Sequence, residues 1–102
     1  MNYKSTNYLC RMTIHLTVTG KVQGVYYRAS AKETAERLGI TGWVKNTRSG
    51  DVEILASGTN EAIDNFIHWC KQGPPNAIVK EVLVAKANDE TFDRFEVLRG
   101  CH

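Results

Sequence analysis

From Met12 to Thr19 the chain alternates apolar and polar residues: Met12, Ile14, Leu16 and Val18 interleave with Thr13, His15, Thr17 and Thr19. A period of two puts every second side chain on one face, so this stretch predicts a β-strand with one buried side. The period then lengthens. Tyr27, Ala31, Ala35 and Leu38 recur at helical spacing among Lys, Glu and Arg, and Gly39 stands where a left-handed C-terminal cap is wanted, predicting a helix of roughly three turns. Gly42 to Thr47, with Trp43 and Val44, and the alternating Val52, Ile54 and Ala56 flank the turn residues Arg48-Ser49-Gly50-Asp51, which predicts a β-hairpin. Thr59 or Asn60 can cap a second helix with Glu61 and Asp64 near its start, an apolar stripe of Ile63, Phe66, Ile67 and Cys70, and a stop at Gly73-Pro74-Pro75. Valine-rich Ile78 to Ala85 predicts a further strand, and Phe95 and Val97, between Phe92 and Leu98, a short last one.

The order is β-α-β-β-α-β plus a short terminal strand. Two right-handed crossovers bracketing one hairpin lead to an α+β, ferredoxin-like sandwich, with two helices on one face of a mostly antiparallel sheet. The 102 residues suffice for one domain. Its periodicity runs from about residue 12 to 99, with residues 1–11 expected as a polar N-terminal extension and 100–102 as a C-terminal tail.

Composition narrows the partner. Hydrophobic residues make up 42% and charged residues 24%, as expected of a soluble globular protein. Thirteen Lys and Arg against eleven Asp and Glu give a net charge of +2. That dispersed, mild excess fits a small anion better than a nucleic acid. No apolar run is long enough for a signal-peptide core or a membrane span, so no membrane partner is expected. Cys10, Cys70 and Cys101 form no CxxC pair and leave one thiol over in any disulfide scheme, which points to the cytoplasm. No three of His, Cys, Asp and Glu fall at metal-ligand spacing, so neither metal nor cofactor is expected.

The candidate chemistry lies in Gly20-Lys21-Val22-Gln23-Gly24-Val25-Tyr26-Tyr27-Arg28, between the first strand and the first helix. Two glycines let successive N–H groups turn toward one point, a helix start adds unpaired N–H groups, and arginine supplies a planar fork of donors. A cation at a helix N-terminus is unfavourable unless an anion sits between them, so Arg28 marks an anion site. The spacing fits neither a Walker A loop nor a GxGxxG turn, and no Cys-x5-Arg arrangement of a thiolate phosphatase is present. Each feature also has a plainer reading. Gly-x3-Gly serves as a tight turn, Asn46 as a hydrogen bonder to turn backbone, and Lys21 and Arg48 as solvated charges or as added positive field. His15 falls on the polar face of the first strand, His68 on the exposed side of the second helix and His102 at the terminus, while Trp43, Phe66 and Trp69 are expected to pack.

Residues 20–28, together with Gly42-Trp43-Val44-Lys45-Asn46-Thr47, the Ser49-Gly50 turn and Gly73-Pro74-Pro75, resemble the acylphosphatase family over nearly the whole predicted domain. The resemblance implies hydrolysis of a carboxyl-phosphate anhydride to carboxylate and inorganic phosphate, without metal or covalent intermediate. It implies that Arg28 binds the phosphoryl group, that the backbone of Lys21, Val22, Gln23, Gly24, Val25, Tyr26 and Tyr27 wraps it, and that Asn46 orients the attacking water. A small-molecule acyl phosphate is then the substrate, inorganic phosphate the product and a competitive ligand, and a monomer is expected. A sparse site suits the reaction, because a carboxylate of conjugate-acid pKa roughly 4–5 can depart without a general acid.

Two other functions stay in view. An RNA-binding module shares the element order but stacks bases on aromatics of the central strands, where this chain has Thr13, His15, Thr17, Glu53 and Leu55. A non-catalytic phosphate- or anion-sensing domain could keep the loop and Arg28, yet has no need of Asn46 to hold water.

Overall fold

Strand β1 (Arg11–Lys21) pairs antiparallel on both edges, with β3 (Val52–Thr59) on one side and β4 (Ile78–Lys86) on the other. β3 in turn pairs antiparallel with β2 (Thr41–Asn46), and β2 pairs in parallel with the short β5 (Phe95–Val97). The five-stranded order is therefore β4-β1-β3-β2-β5, with helices α1 (Tyr27–Leu38) and α2 (Asn60–Gln72) between the strands. This computed structural model describes residues 11–99. The extension and tail expected at 1–11 and 100–102, including Cys10, Cys101 and His102, lie outside the described residues except Arg11. That residue already pairs with Thr59 in β1, so the ladder starts one residue before the expected boundary.

Directly paired residues point to the same face of a sheet. Val84, Leu16, Ile54, Val44 and Val97 form one row across the strands, and Val82, Val18, Val52 and Asn46 form the next. The helices cover this face: Tyr27, Ala31 and Ala35 of α1 and Ile63, Phe66 and Cys70 of α2 share a core with Leu16, Val18, Val44, Val52 and Ile54. Each fully buried Val, Leu or Ile contributes roughly 1.5–3 kcal/mol relative to exposure, so the core can hold a strained loop at its edge. Thr34 is buried on α1, where only the apolar stripe was expected, and Leu38 is half-buried. Phe66 stacks at 6.2 Å on Trp69 and meets Phe95 edge-on at 6.0 Å, as packing residues do.

The opposite face shows three features that the alternation alone does not announce. Thr13 is 2% exposed and donates to Ser57 Oγ at 3.1 Å. The chain after β4 has to cross from one sheet edge to the other to reach β5, and on the way the Ala87 N–H bonds the Thr13 carbonyl. His15 is joined to Glu53 at 2.6 Å, and Glu53 also reaches Lys45 at 3.7 Å. Trp43, expected to pack, is only half-buried, with Lys45 Nζ 5.1 Å from its ring centroid. No helix among the described residues is long and apolar enough to cross a membrane.

Candidate active site

The loop from β1 to α1 begins where the ladder to β4 slips between Thr19 and Gly20. Gly20 has φ +123°, and a Cβ there would overlap the Ile78 carbonyl oxygen, so only glycine lets the strands close up. Val22 and Val25 then anchor the loop in the core, and Gly24 takes φ +74° between them. The loop is also tied sideways. Gln23 Nε2 donates to the Thr47 carbonyl at 2.9 Å and to the Asp51 carbonyl at 2.8 Å, across the β2–β3 turn. Gln23→Ala is expected to cost about 1 kcal/mol, because both carbonyls keep backbone donors, from Gly50 and Thr47. Gln23→Glu, an acceptor facing two acceptors, is expected to cost about 2–3 kcal/mol. Urea titration of both variants checks the order, and an equal loss would show that the amide does not brace the turn.

α1 starts without the usual devices. Tyr26 occupies the N-cap position in a left-handed conformation (φ 64°, ψ 23°), makes no side-chain cap, and no acidic residue follows in the first turn. Among the described residues it alone, other than glycine, has positive φ, which costs roughly 1–2 kcal/mol. α2 shows the ordinary solution: Thr59 accepts from the Ala62 N–H at 3.2 Å and Glu61 lies in the first turn. At α1 the second helical residue is instead Arg28, whose Nη1 donates to the Leu98 carbonyl at 3.4 Å, just beyond β5. Tyr27, beside it, is fixed from the core: its hydroxyl donates to the Cys70 carbonyl at 2.7 Å, and its ring lies 5.2 Å from Trp69. Burial pushes the Tyr27 phenol far above its ordinary range and the Cys70 thiol up to about 12, so both stay neutral and Cys70 offers no thiolate.

Asn46 ends β2 on the helix-facing side of the sheet, and its position in the row with Val52 and Val18 carries it under the start of α1. Its Oδ1 is buried and accepts no hydrogen bond within the protein. Buried polar atoms are nearly always paired, so an orphaned acceptor beside a cavity is suited to a ligand or a water. That cavity, of about 360 Å³, is lined by Val22, Gly24, Tyr26, Tyr27, Arg28, Ala29, Asn46 and Val97.

The structure thus brings Arg28 and Asn46 to one cavity with Val22, Gly24, Tyr26 and Tyr27, while Lys21, Gln23 and Val25 fall outside its lining. Lys21 is exposed opposite Ile78, Val25 is a core anchor, and Gln23 spends its side chain on the turn. Arg48 is exposed in the β2–β3 turn and does not line the cavity either. Sequence reasoning missed Val97 in the lining, the Leu98 carbonyl and the Gln23 brace. The first two are the last residue of β5 and the one after it, Leu98 standing 70 residues beyond Arg28, and no local pattern links them to it.

An acylphosphatase from Gloeobacter violaceus is 48% identical over 86 residues, covering 84% of this chain and 92% of its own length. The structure of an acylphosphatase from Coxiella burnetii superposes with a TM-score of 0.85 at 42% identity, covering 96% of this chain and 100% of that one. One from Bacillus subtilis does so at 0.83 and 34%, covering 85% and 98%. The sequence model for acylphosphatase matches residues 14–97, from within β1 to the end of β5, and the chain belongs to the acylphosphatase family.

Proposed function

We propose that the cavity at the start of α1 hydrolyses acyl phosphates to carboxylate and inorganic phosphate by direct in-line attack of water. The observation that carries this reading is the orphaned, buried Asn46 Oδ1 in the same cavity as Arg28. A site that only bound phosphate would need donors, and an acceptor there is a liability unless it holds something with a proton to give.

The parts then act in sequence. Arg28 and the N–H groups at the start of α1 donate to the phosphoryl oxygens and neutralise charge there. Water donates one O–H to Asn46 Oδ1, which leaves an oxygen lone pair facing phosphorus. As the new O–P bond forms, the bond from phosphorus to the carboxyl oxygen breaks and its electron pair departs with the carboxylate. Asn46 is no base, so the water's second proton passes to a phosphoryl oxygen and leaves with the inorganic phosphate. Phosphoryl transfer asks mainly for such positioning and charge stabilisation. The reading includes inorganic phosphate as a competitive ligand and a monomer acting in the cytoplasm, to which the buried, unpaired Cys70 lends support. The outer sheet face, with Thr13 covered and Glu53 held between His15 and Lys45, favours a small substrate over RNA.

An assay with benzoyl phosphate in excess EDTA tests the proposal. Turnover is expected to persist, with inorganic phosphate inhibiting competitively. Loss of turnover under EDTA would sink the metal-free mechanism, and phosphate binding with no turnover would leave a sensor.

A further inference from the structure

The cavity combines polar groups with an exposed apolar rim. Arg28 and Asn46 supply its polar groups, Val22 and Tyr27 are almost wholly buried, and the exposed apolar surface comes from Tyr26 and Val97, 79% and 40% accessible. A phosphoryl group occupies roughly the space of two or three waters, each with a share of about 30 Å³. A cavity of about 360 Å³ therefore has room for the organic half of the substrate as well. Beyond Tyr26 and Ala29 the surface dips again, into a depression flanked by Lys32 and Glu33 of α1.

Tyr26 carries a large exposed ring that neither the fold nor a backbone cradle for the phosphoryl group explains. It holds a left-handed conformation that glycine would take without strain, and its side chain recovers nothing by burial. A strained backbone that presents a large ring at the mouth of the cavity is explained if the ring meets the substrate. Resting on the hydrolase reading above, we propose that Tyr26, with Ala29 and Val97, forms an acyl subsite that selects aromatic over small aliphatic acyl phosphates. The phosphoryl group lies at the Arg28 end, the anhydride oxygen points outward, and an aryl acyl group stacks against the Tyr26 ring. An acetyl group is too short to use that ring, and one offset-stacked pair corresponds to a preference of about tenfold.

Non-hydrolysable phosphonates separate this subsite from the chemistry. Titration calorimetry with benzoylphosphonate and acetylphosphonate is expected to show about tenfold tighter binding of the benzoyl compound to the native chain. Tyr26→Phe keeps the ring and should keep that ratio, whereas Tyr26→Gly, which suits the local backbone, should bring it close to one. No preference in the native chain, a preference that survives in Tyr26→Gly, or an equal loss of both ligands would overturn the subsite. Parallel assays with benzoyl and acetyl phosphate keep the two ideas apart. Binding preference without hydrolysis of either would sink the hydrolase reading and leave the subsite, and hydrolysis of both with no preference would do the reverse.

Discussion

Arg28→Ala is expected to lower kcat/KM for an acyl phosphate by at least about 10²- to 10³-fold, the usual cost of removing one donor from a transition-state charge. The same variant should fold as well as the native chain. Arg28 sits in the first turn of a helix with no acidic residue and no side-chain cap, where a cation opposes the dipole. Deleting it relieves about 0.3–1 kcal/mol of that opposition, set against one long hydrogen bond to Leu98 of 3.4 Å. A structural Arg28, holding the end of the chain through Leu98, predicts instead a clear loss of stability with modest loss of rate. Urea titration beside steady-state kinetics therefore distinguishes the two roles. Arg28→Lys should fail nearly as badly, because an ammonium is a point charge and does not reproduce two parallel donors in one plane.

Asn46→Ala is the second large effect: kcat should fall by about 10²- to 10³-fold while inorganic phosphate still competes for the site. The split follows from the geometry. Oδ1 is an acceptor, and a phosphate oxygen has no need of it, so product affinity is governed by Arg28 and the helix start. Stability should hold or rise slightly, since a buried acceptor with no protein partner is removed. A folded Asn46→Ala with near-native turnover would eliminate the water-positioning role. Loss of phosphate binding in parallel with rate would show that Asn46 holds the ligand rather than the water.

Much of the fold was legible because each element is announced by a local period or a local stop. The alternation of β1, the spacing of Tyr27, Ala31 and Ala35, the Thr59 cap and the glycine after each helix all act within a few residues of one another. The place of the loop from Gly20 to Arg28 was legible for the same reason, since its glycines and arginine stand at a strand-to-helix junction, although Gly-x3-Gly alone also suits a tight turn. Asn46 was harder to judge from its neighbours, which suit a turn equally well. Its place at the end of β2 on the helix-facing side gives it the orphaned oxygen that the turn reading does not explain.

Other features were not legible, each because it joins segments far apart. Thr13 alternates as a surface residue and is nonetheless buried, because the connection to β5 passes over that end of the sheet. Trp43 has the composition of a core residue, yet period two sends it to the face without helices. The Arg28–Leu98 bond and the Val97 rim exist because β5 pairs in parallel with β2 and so ends beside α1.

By itself the sequence determined which segments become strands and helices, and that the candidate anion loop falls where β1 gives way to α1, because propensity, capping and glycine conformation are properties of neighbouring residues. Only the tertiary structure decided what surrounds that loop. The order β4-β1-β3-β2-β5 brings Asn46 and Val97 to one cavity with Arg28 and Tyr26, and the loop is braced through Gln23. Such meetings depend on which strands pair, a choice made by burial of the whole core and written in no single stretch of the chain.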